Sequence, residues 1–164
     1  MHLMKRPEME EFLYHFYVTK DYFECHEIGE ELWKEVAPRE KSHFLVGFVL
    51  LATGLYHWRR ANFDGALRSL EKSLKLLVTN RILLEDYLDF EKLDTLFLEL
   101  IREVANHSPY ESIQLPIRDM ELKAKIASFP PALHVGDEII HRHSTRDRSD
   151  VILARQQALL KRRK

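Results

Sequence analysis

Helix-breaking residues are scarce in this chain, and that scarcity limits what it can fold into more than any other feature. Five glycines and six prolines are spread over 164 residues. Between them, apolar side chains recur three and four positions apart, the spacing of a buried helix face. No stretch alternates with the period of two that a half-buried strand needs. The fold class that follows is all-α: a compact bundle of about five main helices with an irregular C-terminal strap and a short terminal helix. A chain this long buries a real core as one domain. Residues 1–105 read as the helical bundle core, and 106–164 as a strap and basic tail packing on the same domain.

The first helix is expected from Pro7 to about Val18, with Met9, Phe12, Leu13 and Phe16 as its stripe and Pro7 at its start. Asp21 caps the second, with Glu24 three residues on to complete a capping box. That helix ends before Pro38. The third, about Lys41 to Ala61, is apolar nearly all round and belongs at the centre. Gly47 and Gly54 fall on one of its faces, where another backbone would approach closely, and Gly29 on the second helix is the expected facing notch. Asn62 or Asp64 opens the fourth helix, whose face is Ala66, Leu67, Leu70, Ser73, Leu74, Leu77 and Val78. The fifth, about Phe90 to Val104, repeats Phe90, Leu93, Phe97, Leu100 and Val104. After Ala105 the pattern breaks, and Ser108-Pro109 and Leu115-Pro116 mark an extended strap. A short helix spans Asp119 to Ala127 before Pro130-Pro131. Ser149 or Asp150 opens a last one.

Charge and cysteine content narrow the function classes. A net charge of -1 argues against a generic polyanion binder. A lone cysteine, Cys25, precludes an intrachain disulfide and fits a reducing cytoplasm. The N-terminus carries no long apolar run after Lys5-Arg6, so a signal peptide is not expected. The most apolar segment, Phe44 to Trp58, is interrupted by Gly47, Thr53, Gly54 and His57 and is shorter than the ~20 residues of a membrane span. The expected setting is therefore cytoplasmic, away from membranes.

Chemistry gathers on the second helix, Tyr22-Phe23-Glu24-Cys25-His26-Glu27-Ile28-Gly29-Glu30-Glu31-Leu32-Trp33. At 100° per residue, Cys25, Ile28, Gly29, Leu32 and Val36 form the apolar face. Glu24, Glu27, Glu31, Lys34 and Glu35 form the wet one. His26, Glu30 and Trp33 fall on the border, where partial desolvation moves pKa values and ligands bind. An imidazole and a carboxylate at i,i+4 can converge on one divalent ion, with zinc, iron or manganese the candidates. The metal set is then His26, Glu30 and, from the neighbouring helix, His57; Asp64 and His15 are weaker third ligands. The alternative is a charge-assisted hydrogen bond at the core edge, covered by Trp33. The zinc-protease pattern is missing its second His, since Glu30 stands there, and Glu27 turns toward solvent. Gly-rich phosphate loops, Gly-x-Ser-x-Gly elbows and Cys-x-x-Cys pairs are absent. Cys25 points about 100° away from His26 and reads as core.

Two further segments bear on partners. Trp58 to Leu67, continued by Leu70 and Leu74, resembles the second half of a tetratricopeptide hairpin. Only one such unit is visible where a solenoid needs about three. It supports a helical protein-protein interaction module or homodimer. The tail from His141 is rich in arginine and lysine. Without interleaved aromatics for base stacking, nucleic acid is a poorer partner for it than solvent or an acidic protein surface, such as that of the second helix. His141 and His143 near Asp137 and Glu138 offer metal-ligand chemistry, but read better as a surface pair.

The block His26, Glu30, Trp33 resembles the His-x-x-x-Glu-x-x-Trp hallmark of the bacterial and archaeal family catalogued as domain of unknown function 309. A second block resembles it too: Gly54-Leu55-Tyr56-His57, Arg59-Arg60, then Asn62 and Gly65-Ala66-Leu67. Pro109-Tyr110, Leu115-Pro116-Ile117 and Arg146-Asp147-Arg148 resemble longer members. The resemblance implies a compact helical fold and a motif associated with metal binding, without an assigned reaction. One departure is Leu50, where members often carry Gln; an apolar residue there would dry the pocket. The candidate site is thus His26, Glu30, Trp33, Tyr56, His57 and Asn62. Were it catalytic, metal-assisted hydrolysis is the chemistry its ligands would serve.

Overall fold

The structure, a computed structural model, describes residues 2–131. It is all-α: α1 (Pro7–Tyr14), α2 (Tyr22–Val36), α3 (Phe44–Arg59), α4 (Phe63–Thr79), a single-turn α5 (Arg81–Leu84), α6 (Phe90–Ala105) and α7 (Met120–Ala127). No strand occurs among the described residues. The helix expected after Ser149 and the His141 and His143 pair lie outside the described residues.

Side-chain caps set several helix starts, as the local sequence requires. Asp21 accepts from the Glu24 amide at 3.1 Å, Asn62 from Gly65 at 3.2 Å, Asp89 from Lys92 at 3.1 Å and Asp119 from Leu122 at 2.9 Å. Asn62, not Asp64, therefore opens α4. The first helix keeps its predicted length, ending at Thr19, but not a uniform pitch. After Tyr14 the chain widens into a π turn over His15–Thr19, and Lys20 reverses it at φ 56°. The Thr19 hydroxyl accepts from the Asp21 amide at 3.2 Å. This tight return places Asp21 at the mouth of α2.

α3 is the central helix, packed on α2 on one side and α4 on the other, while α4 also packs on α6. At Gly54 the backbone of another helix does approach closely, Leu70 N of α4 lying 3.4 Å from an added Cβ, but the facing notch is not Gly29. Added Cβ atoms at Gly54 and Gly47 would meet Leu70 Cδ2 at 2.7 Å and Leu77 Cδ2 at 3.0 Å. Two leucines of α4, seven apart, thus seat on two glycines of α3, also seven apart. Gly29 instead receives Val49, whose Cγ2 would lie 2.8 Å from an added Cβ. The notches do not face each other, because α2 and α4 flank α3 rather than sharing one of its faces. The buried Ser73 hydroxyl donates to the Gly47 carbonyl at 2.7 Å, which satisfies a polar group at the same seam. All five residues predicted for the α6 stripe are buried. Val78, predicted to be buried, is 43% exposed, because the buried stripe of α4 runs through Ala66, Leu70, Ser73 and Leu77 and Val78 lies about 100° round the helix from Leu77.

The segment after α6 is an extended strap that wraps the bundle. Trp58 Nε1 donates to the Ser108 carbonyl at 2.8 Å, and the Tyr17 hydroxyl to that of Leu115 at 2.8 Å. The Tyr22 and Tyr110 hydroxyls share a short hydrogen bond. Ile117 bridges Leu88 in antiparallel fashion.

Candidate functional site

α2 and α3 meet at a cleft of about 150 Å³ lined by Tyr22, Phe23, His26, Thr53, Tyr56 and His57. The lining follows from helical spacing: Tyr22, Phe23 and His26 lie three and four apart on α2, as Thr53, Tyr56 and His57 do on α3. Of the six candidate residues, the cleft brings together His26, Tyr56 and His57. Glu30 stands beside it through His26, and Asn62 through His57. Trp33 lies outside. Its indole Nε1 donates to the Glu40 carbonyl at 2.9 Å, so it ties the end of α2 to the following loop rather than walling the cleft. Tyr22, Phe23 and Thr53 were missed as lining residues, although the same periodicity places them there. Leu50 does not line the cleft, so it does not dry it.

His26 sits between two carboxylates. Its Nδ1 is 3.4 Å from Glu27 Oε1 and its Nε2 is 3.4 Å from Glu30 Oε2. Both separations are within ion-pair range of a charged ring and longer than formed N–H···O bonds. Glu30 makes its closer contact with Lys34, whose Nζ is 2.7 Å from Oε1. Glu27 is less exposed than a wheel suggests, its side chain retaining 21% of its accessible area. His26 and Glu30 keep 32% and 34%, as border positions should.

The other end of the cleft is set by the start of α4. The Asn62 side-chain oxygen is committed to the Gly65 amide, which turns its NH₂ toward His57 Nδ1 at 3.2 Å. Nδ1 therefore accepts, and the neutral ring carries its proton on Nε2. Burial, then the charges of Arg60 and Arg68, hold His57 below the usual imidazole range. Gly65 belongs to this unit: a Cβ there would lie 2.6 Å from Asn62 Nδ2.

Arginines back the aromatic wall. Arg59 lies over the Tyr22 ring, 4.7 Å from its centroid, and donates to the Lys20 carbonyl at 2.6 Å. Its Nε is buried without a hydrogen-bond partner among the described residues, and the cation–π contacts offset that loss. Arg60 donates to the Tyr56 hydroxyl at 2.6 Å.

These residues fit a metal poorly. Among the described residues no group of three or more His, Cys, Asp or Glu side chains is arranged to hold an ion, so His26, Glu30 and His57 do not assemble as a three-ligand set. His57 offers no lone pair: Nδ1 already accepts from Asn62 and Nε2 is protonated. Asp64 is exposed on α4, and His15 bonds Thr19 at 2.9 Å on the π turn.

The model of the family described as Domain of unknown function (DUF309) matches residues 9–69, which span α1 to the first half of α4 and every residue of the cleft. Uncharacterized protein YpuF of Bacillus subtilis (strain 168) is 38% identical over 164 residues, covering 94% of this chain and 94% of the relative. The chain belongs to the DUF309 family. No solved structure matches it. In the DUF309 hallmark as it stands here, His26 reaches the cleft directly, Glu30 reaches it through His26, and Trp33 holds a loop. The second DUF309 block supplies the far end of the same cleft, through Tyr56, His57 and the Asn62–Gly65 cap. No helix among the described residues is long and apolar enough to cross a membrane.

Proposed function

We propose that this protein binds a small organic ligand in the α2–α3 cleft, with the His26–Glu30 pair at its rim. The observation that carries this reading is the lining itself: three aromatic rings, one methyl-bearing Thr and two imidazoles from two helices face one hollow. Pockets for drug-sized ligands run to about 300–1,000 Å³. At about 150 Å³, this cleft takes a body near the size of one aromatic ring. NMR of protein labelled in its histidine rings, screened against ring-sized fragments, tests it. Binders should shift His26 and His57 together, and Thr53→Phe, which fills the hollow, should abolish the shifts while leaving the helical spectrum intact. Shifts that persist in Thr53→Phe would remove the reading.

A second reading, a helical interaction module or homodimer in which the motif is structural, draws on a different surface. Ile82 is 86% and Leu83 54% exposed beside Val78, at the turn from α4 into α5. Sedimentation of wild type against Ile82→Glu tests it: a dimer that the substitution dissociates supports this reading.

A further inference from the structure

The polarity of the cleft is not symmetric, and the asymmetry points to a ligand class. At the α2 end stand carboxylates: Glu27 and Glu30 flank His26, with Lys34 held on Glu30. At the α3 end stand donors and cations. His57 lines the cleft and its Nδ1 is taken by Asn62. Its one remaining polar group is the Nε2–H, which has no hydrogen-bond partner among the described residues. Arg60 binds the hydroxyl of Tyr56 and lies over its ring, 5.3 Å from the centroid. Arg59 stacks on Tyr22. Arg68 lies one turn into α4.

We propose that the ligand of this cleft is a small organic anion, whose anionic oxygen accepts from His57 Nε2–H near Arg60 and whose ring-sized body lies among Tyr22, Phe23 and Tyr56. This rests on the ligand-binding reading above and adds the charge and the orientation. A fixed donor is the complement of an oxygen acceptor, not of a cation or a metal. Burial is the larger cause of the lowered protonation of His57, and the charges of Arg60 and Arg68 add to it; that positive field would stabilise an anion there. The aromatic lining supplies the area that a carboxylate alone could not bury.

Benzoate and benzamide have the same shape and differ in charge. Binding of each to the full chain at neutral pH is followed by NMR of the labelled histidine rings. The free protein should show His57 as the Nε2–H tautomer. Benzoate should shift His57 and bind about fivefold or more tighter than benzamide, the scale of one partly screened charge. Arg60→Gln with Arg68→Gln, both at exposed positions, should erase most of that preference, read as the ratio of the two affinities so that any loss common to both probes through the released Tyr56 cancels. Equal affinity for the two probes overturns the anion inference and leaves the cleft reading standing. Failure of both probes to shift His26 or His57 removes both. A preference that survives the double substitution, or benzoate binding that leaves His57 unmoved, also overturns the inference.

Discussion

The side-chain amide of Asn62 caps α4 with its oxygen and donates from its nitrogen to His57 Nδ1 at 3.2 Å, so one residue fixes both a helix start and an imidazole tautomer. Changing only the second job is feasible. Asn62→Asp keeps a competent cap and replaces the donor by an acceptor. His57 should then carry its proton on Nδ1, and its pKa should rise beside the carboxylate. Asn62→Ala should instead cost about 1 kcal/mol of stability through the lost cap. Histidine ring NMR across a pH titration, with denaturant melts of both variants, separates the two effects.

Acid should weaken the fold through two histidines. His57 is held below the ordinary value of 6.5 by burial and by Arg60 and Arg68. His43 is lowered by burial, against the pull of Glu40, and its Nδ1 accepts from the Leu45 amide at 3.0 Å to cap α3. The unfolded chain binds these protons first, so it holds more protons than the native state between 6.5 and the lower native values. Stability therefore rises with pH across that window and falls as pH drops through it. Denaturant midpoints measured between about pH 7.5 and 5.5 should show the loss. His57→Gln and His43→Asn, which cannot take up a proton, should each flatten the curve.

The α3–α4 seam should tolerate no added methyl at Gly54. An alanine Cβ would meet Leu70 Cδ2 and Cγ at 2.7 Å. Overpacking of this kind costs about 1–3 kcal/mol, which exceeds the helix-propensity gain of about 1 kcal/mol. Gly47→Ala, with its nearest contact at 3.0 Å, should cost less. In a double-mutant cycle, Gly54→Ala with Leu70→Ala should be less damaging than the sum of the single changes, since the new methyl fills part of the space left by Leu70. A simple sum would show that the two residues do not share that space.

Much of this molecule was legible because local chemistry and tertiary packing agree. The Asp21 cap and Pro38 bracket α2, and the α6 stripe is buried at every predicted position. What periodicity could not convey is which neighbour a face meets. Gly29, Gly47 and Gly54 were all recognisable as close-approach sites, yet only the arrangement of α2 and α4 around α3 assigns Val49 to the first and leucines to the others. A wheel likewise places Trp33 on the border beside His26 and Glu30. The direction of its indole depends on the loop carbonyl of Glu40, which helical spacing does not reveal. The cleft's aromatic lining was written at i,i+3 and i,i+4 intervals and could have been found by pairing the two helices. The donor role of His57 needed the loop that brings Asn62 back to it.

Loss of either tyrosine hydroxyl under the strap should have unequal effects. Tyr22 is wholly buried, and its hydroxyl bonds that of Tyr110. Tyr110→Phe leaves the Tyr22 hydroxyl buried without a partner, at a cost of about 1–3 kcal/mol. Tyr22→Phe leaves the half-buried Tyr110 hydroxyl, which also interacts with Arg59, and should cost less. Thermal or denaturant unfolding of the two variants reads the difference. Equal losses would mean that the strap, rather than the buried hydroxyl, sets the cost.

The three residues of the His-x-x-x-Glu-x-x-Trp motif should separate by measurement. An exposed or half-exposed i,i+4 ion pair contributes about 0.3–0.5 kcal/mol. With a third of each side chain in solvent, His26→Ala and Glu30→Gln should therefore barely move the unfolding midpoint. Trp33→Phe removes the indole bond to Glu40 and should cost about 1 kcal/mol. It should also speed amide exchange in the loop from Glu40 to His43, which the His26 variant leaves unchanged. On the ligand-binding reading proposed above, a pair that adds so little stability on the cleft rim serves the ligand and not the helix. Should His26→Ala prove as costly as Trp33→Phe, that argument fails, and the pair belongs to the scaffold with the tryptophan.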